Sequence, residues 1–202
     1  DTRHTRRLLS HYGINAKLWS CHDHNEAQVV PRLLQRLTKG ENVALVSDAG
    51  TPLISDPGFP LVQAARERGI RVVPVPGANA ALCALSAAGL PCDRFLFVGF
   101  PPRAGAKRRE WIAALAAESG TIVLYEAGNR VTGTLEDLRH ALGGERRAVV
   151  ARELTKRFET FLDGSLDDIV RRVADDPQQR QGELVILVGG DRGCGEDERL
   201  TE

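Results

Sequence analysis

The stretch VALVSDAGTPLISDPGFPLV (residues 43–62) opens as an apolar, β-branched run and then breaks into two aspartate-bearing turns. Residues 43–46 read as a buried strand, and Gly50, Pro52, Pro57, Gly58 and Pro60 shape the chain that leaves it. In an open α/β sheet, ligands settle at the carboxyl ends of strands, where this loop would lie. Asp48 and Asp56 would repel phosphate, and a G-x-x-x-x-G-K-[ST] cradle is not what these residues spell, which argues against a nucleoside triphosphate. Two carboxylates beside the Ser47, Thr51 and Ser55 hydroxyls suit a positively charged ligand rich in hydroxyl and amine donors, such as S-adenosylmethionine. Taken alone, Asp-Pro-Gly is also an ordinary turn.

Outward from this loop, apolar runs at 43–46, 71–75, 94–100, 121–125, 148–152 and 183–189 alternate with helical stretches, the rhythm of an α/β protein with buried strands. Helices are expected in TRHTRRLLSHY, NEAQVVPRLLQRLTKG, GFPLVQAARERGI, NAALCALSAAGLP, KRREWIAALAAESG, NRVTGTLEDLRHALGG and SLDDIVRRVADD, the last starting on a Ser165/Asp168 capping box. VPVPGANAALCALSAAGLP supplies a second wall for the ligand. Pro76-Gly77 turns out of a strand, and Asn79 caps an Ala-rich helix whose small face lets a planar group or the sheet come close. The Phe-rich strand after Pro91 marks a boundary, giving an N-terminal α/β domain over 1–92, a C-terminal α/β domain over 93–190 and a polar tail over 191–202. The chain opens directly into its first helix, so the N-terminal domain reads as truncated, with its first strand absent.

With 202 residues, 42% of them apolar, the chain has material for a substantial core. No apolar run is long enough to span a bilayer and no secretory leader precedes the first helix, so a cytoplasmic, membrane-free protein is expected. Cys21, Cys83, Cys92 and Cys194 share no C-x-x-C spacing and read as reduced thiols, with Cys83 in a helix core. Formal charge is zero, yet cations cluster locally. Arg3, Arg6 and Arg7 lie on the first helix, and Arg103, Lys107, Arg108 and Arg109 crowd the start of another, where the helix macrodipole disfavours them. Either this is a solvated face or these residues contact RNA phosphates.

DTRHTRRLL, HDHNE (22–26), ALVSDAGTPLISDPG, PGANAALCALSAAGLP, ARELTK (151–156) and GELVILV (182–188) together resemble the tetrapyrrole (precorrin) methylase superfamily. More narrowly they are similar to its small-subunit ribosomal RNA cytidine 2′-O-methyltransferase branch, over nearly the whole chain to about residue 190. The resemblance implies two α/β lobes with S-adenosylmethionine in the cleft between them, usually in a homodimer. It also implies a strand and a P-T-P-I-G-N-like loop ahead of the first helix. The implied substrate is small-subunit ribosomal RNA, free or in the assembled subunit. On this reading the cofactor meets Ser47, Asp48, Ala49, Gly50, Thr51, Ile54, Ser55, Pro76, Gly77, Asn79 and Ala80.

Displacement at a sulfonium needs alignment, water exclusion and an activated oxygen, with no protein nucleophile. Glu126, Glu153 and Lys156, at strand ends, are the candidates for activating a ribose hydroxyl, although Arg152, Glu153 and Lys156 also make a plausible salt bridge. His22, Asp23, His24 and Glu26 suggest a metal only weakly, and the reaction needs none. A loop that caps the next helix through Asn25 or Asp23, or one that meets substrate, fits HDHNE as well.

Overall fold

The computed structural model describes residues 1–191; Cys194 and the tail beyond Asp191 lie outside the described residues. Contacts divide the chain into Asp1–Asn79 and a second unit from Ala80 onward. The sequence places the division after residue 92. The difference is the Ala-rich helix, which shares its core with the second unit.

In the first unit, α1 (Thr2–His11), α2 (Glu26–Thr38) and α3 (Phe59–Glu67) stand where the apolar periodicity puts them. Asp1 caps α1 by accepting from the Arg3 amide at 2.8 Å. Val30, Leu33 and Leu34 of α2 close on Leu61 and Ala65 of α3, with Trp19 and Ile70 packed at the edge. Each such buried aliphatic side chain stabilises by about 1.5–3 kcal/mol. Residues 43–46 and 71–75, expected as strands, take no regular secondary structure and join no ladder among the described residues. Valine favours extended backbone, whereas a strand exists only where a neighbouring segment takes up its N–H and C=O groups. Here their valines face outward, Val75 being 82% exposed.

The second unit contains α4 (Ala80–Ala87), β1 (Phe95–Gly99), α5 (Gly105–Ala113), β2 (Thr121–Ala127), α6 (Val131–Leu142), β3 (Arg147–Arg152), β4 (Thr160–Ser165), α7 (Leu166–Asp175) and β5 (Glu183–Val188). They build a sheet of order β1-β2-β5-β3-β4, in which β1 and β2 are parallel and the other neighbours antiparallel. Successive side chains of a strand face opposite sides. Ile122, Leu124, Val150 and Ile186 therefore meet Ile112, Leu135, Leu138 and Ile169 of α5, α6 and α7. Val123, Val149, Val185 and Leu187 meet Ala81, Ala84 and Leu85 of α4. The Ser165 hydroxyl accepts from the Asp168 amide at 3.2 Å, the expected start of α7. Cys83 is half-buried on α4 rather than in its core, and Cys92 is exposed. Among the described residues no helix is long and apolar enough to cross a membrane.

Candidate active site

In the first unit, the aspartate loop and the P-G-A-N turn come together. Thr51 Oγ1 donates to the Ala78 carbonyl at 2.9 Å, and the two segments are close enough that a Cβ on Gly50 would lie 3.5 Å from the same oxygen. Ser47 Oγ donates to the Ala49 and Gly50 carbonyls at 3.2 and 3.0 Å, curling the loop back on itself. Gly50, Leu53, Ser55 and Gly58 all have positive φ, between 60° and 122°. For Leu53 and Ser55 this costs of the order of 1 kcal/mol each, so the surroundings hold the loop in a shape that its own preferences oppose.

Part of that restraint comes from HDHNE. Glu26 Oε1 accepts from the Gly58 amide at 2.7 Å, fastening the end of the aspartate loop to the start of α2. Asn25 accepts from the His22 amide at 2.9 Å and donates to the Ser20 carbonyl at 3.0 Å. It closes its own loop and makes no side-chain cap on α2. Gly58 sits under Leu45, whose Cδ2 would be 2.8 Å from an added Cβ. Asp48 Oδ2 stands 3.7 Å from His4 Nδ1. Partial desolvation, then the Asp48 charge, pushes the Asp56 carboxyl above its ordinary value. The exposed carboxylates, hydroxyls and close backbone fit a cationic, hydroxylated ligand. Ala49, Ile54, Pro76 and Gly77 flank the same junction, and Asn79 and Ala80 continue from it into α4.

In the second unit, Glu126, expected as a candidate base, is fully buried at the end of β2. Its Oε1 accepts from the Ala127 amide at 2.8 Å and its Oε2 from Thr134 Oγ1 at 2.5 Å, while Arg130 Nε lies 3.4 Å from Oε1. A base must reach the proton that it removes; both oxygens of Glu126 are committed to holding β2 against α6.

Glu153 and Lys156 lie in the turn from β3 to β4, where Glu153 and Thr155 have φ of 52° and 63°. Glu153 Oε1 accepts from Lys156 Nζ and from the Glu183 amide, each at 2.9 Å. Lys156 Nζ also reaches Glu183 Oε2 at 2.8 Å. The Glu183 amide, then Lys156, holds the Glu153 carboxyl below the usual carboxylate range. The Glu183 and Glu153 carboxylates raise the Lys156 ammonium above its ordinary value. At neutral pH this lysine is a cation and a donor, with no lone pair to act as a base. The stability due to Glu153 is present above the unfolded carboxyl value of about 4.3 and is lost as pH falls through its lowered folded value. That due to Lys156 is present below the unfolded lysine value of about 10.4 and is lost as pH rises through its raised one. Glu153→Gln should therefore melt below the parent between about pH 5 and pH 10, with the two converging in acid. Parallel melting curves down to strong acid would disprove the assignment.

The basic residues divide. Arg6, Arg7, Arg103, Lys107 and Arg109 are exposed. Arg3 is tied to the Asp1 carboxylate. Arg108, expected among the RNA contacts, instead spans α5 to α6, with its Nε 2.7 Å from Asp137 Oδ2 and both side chains 13% exposed. It passes over Gly133, where a Cβ would be 3.0 Å from its guanidinium. Sequence reasoning missed Arg130, which donates to the Pro101 and Pro102 carbonyls. Its signal is the i,i+4 spacing from Glu126. Arg152, expected in a salt bridge, is instead buried and bonded to Thr160 and the Phe158 carbonyl.

Residues 1–170 match the family model described as Tetrapyrrole (Corrin/Porphyrin) Methylases. Ribosomal RNA small subunit methyltransferase I of Xylella fastidiosa (strain Temecula1) is 55% identical over 190 residues, covering 94% of this chain and 70% of that protein. Its counterpart from Escherichia coli O157:H7 is 51% identical over 197 residues, covering 98% and 69%. A uroporphyrin-III C-methyltransferase from Thermus thermophilus, solved with S-adenosylhomocysteine, superposes with a TM-score of 0.52 at 18% identity over 83% of this chain and 74% of that one, a likeness of fold. With about half of all positions shared with bacterial methyltransferases and the family model matched from residue 1 to 170, the chain belongs to the tetrapyrrole methylase family.

Proposed function

We propose that this protein transfers a methyl group from S-adenosylmethionine to the 2′-oxygen of a cytidine ribose in small-subunit ribosomal RNA. The observation that carries the reading is the junction of the aspartate loop with the P-G-A-N turn through Thr51 and Ala78, held in a strained backbone. Its support includes two relatives named for ribosomal RNA methylation at over half identity. When bound, S-adenosylmethionine supplies an electrophilic methyl on a sulfonium. Asp48 and Asp56 offer negative charge to that cation and acceptors to its hydroxyls, and Ser47, Thr51 and Ser55 fix its orientation alongside the backbone. With the cofactor bound, a bond from the ribose 2′-oxygen to the methyl carbon would form as the S–C bond breaks, leaving neutral S-adenosylhomocysteine, and the hydroxyl proton would pass to water. Lys156, held as an ammonium, stabilises the developing alkoxide, and Glu153 keeps that ammonium in place. The exposed cations receive RNA phosphates, and the enzyme works as a homodimer.

Labelled S-adenosylmethionine, incubated with the protein and small subunits from cells lacking the enzyme, should mark one ribose, located by mapping the modified nucleotide. Label on a tetrapyrrole instead would favour small-molecule methylation, which the parent family also hosts. Thr51→Val should weaken S-adenosylmethionine by about 2- to 12-fold in calorimetry, the worth of one exposed hydrogen bond. An unchanged affinity would remove the junction from the site. Lys156→Ala should slow single-turnover transfer by about 100-fold while cofactor affinity holds; an unaltered rate would exclude it from the chemistry.

A further inference from the structure

Arg130 lies outside the stretches that carry the family resemblance, yet it holds a loop that bears exposed cations. One of its terminal nitrogens donates to both the Pro101 and Pro102 carbonyls, at 2.9 and 3.1 Å. Its Nε stands 3.4 Å from Glu126, whose side chain is 0% exposed while that of Arg130 is 23% exposed. Local chemistry gives this loop little means of bracing itself. Pro101 and Pro102 carry no backbone N–H to donate. Ala104, at the start of α5, makes no side-chain cap, so no nearby hydroxyl or carboxylate fixes where the helix begins. Outside support comes from two arginines. Arg130 hangs from a carboxylate that Thr134 and the Ala127 amide immobilise, and Arg108, one turn into α5, is bonded to Asp137. Left facing solvent on the supported segment are Arg103 and Lys107.

We propose that Arg130, anchored by Glu126, is a positioning residue that preforms a phosphate-binding face from Arg103 and Lys107. The inference rests on RNA being the substrate. Phosphate contacts set the register of an RNA without reading its sequence, and a face ordered in advance spares the cost of ordering two long side chains on binding. Arg130 matters through geometry rather than through its own charge. Lysine at this position keeps the charge but loses the planar fork that spans two carbonyls and a carboxylate.

The test compares the parent, Arg130→Lys and the double variant Arg103→Ala/Lys107→Ala. Binding to a small-subunit ribosomal RNA fragment is followed across a salt series, with S-adenosylmethionine calorimetry and thermal melts alongside. The double variant should bind more weakly and lose roughly 1.4–1.8 units of salt slope, 0.7–0.9 for each phosphate contact. Arg130→Lys should weaken RNA binding roughly tenfold and lower the slope in the same direction with net charge unchanged. Cofactor affinity should stay at the parental value in both variants. If Arg130→Lys lowers only the melting temperature and keeps parental RNA affinity and slope, the positioning role is overturned while the RNA reading stands. A double variant indistinguishable from the parent overturns the RNA reading at this face, and the inference with it.

Discussion

Glu126→Ala should lower the free energy of unfolding by about 3–5 kcal/mol, the cost of breaking a buried charged network by removing one partner. The loss has three parts: the Thr134 hydroxyl is stranded in the core, the Ala127 amide loses its acceptor, and Arg130 keeps its charge with no carboxylate beside it. Glu126→Gln should recover part of the loss, because an amide oxygen can still accept from one donor. Denaturant titration measures both. A loss below about 1 kcal/mol for the alanine variant would mean that the network contributes no more than a solvent-exposed ion pair.

Gly128→Ala should cost about 3 kcal/mol, at the upper end for overpacking, because the added methyl meets backbone rather than a movable side chain. An ideal Cβ there lies 2.6 Å from the carbonyl carbon and Cα of Gln181, and the Gly128 amide bonds the Gly182 carbonyl at 2.8 Å. Relief would require that bond to stretch, and Gly182 already lies beneath Glu153, whose Oε1 would be 2.3 Å from a Cβ at residue 182. At roughly 2–4 °C per kcal/mol for a protein of this size, the melting temperature should fall by about 6–12 °C. Gly105→Ala is the control. Its Cβ would meet only the tip of Arg109 at 3.4 Å, in a helix where alanine is the better residue. Equal losses at the two positions would show that backbone crowding is not the cause.

Elements whose identity rests on their own residues were legible in the sequence. Among the described residues the seven α-helices follow apolar periodicity, and β1, β2, β3 and β5 are continuous apolar runs. β4 was missed because TFLDGS is held by pairing with β3, residue by residue from Thr160 opposite Arg152 to Ser165 opposite Arg147, with a single buried side chain at Leu162. Residues 43–46 and 71–75 show the converse, with strand-like composition and no ladder. At the site, the meeting of the aspartate loop with the P-G-A-N turn followed from motif order. The fate of Arg108 did not, since Asp137 lies 29 residues further on and one sequence does not reveal which cation of a cluster turns inward. Nor did positive φ at Leu53, Ser55, Glu153 and Thr155 show in advance, because none of those residue types asks for it.

Strand order also sets a timetable for synthesis. β5 comes last among the described strands, yet it lies between β2 and β3 and pairs with both. Until residues 183–188 have left the ribosome, β1–β2 and β3–β4 are two separate ribbons, each with an open inner edge lined by Val123, Leu124, Val149 and Val150. Closing the sheet then joins segments some sixty residues apart, a slow step for a chain with such non-local pairing. A ribosome stalled before β5 would display two sticky apolar edges rather than one half-built sheet, and the nascent chain would be most exposed to aggregation and chaperone capture in that interval.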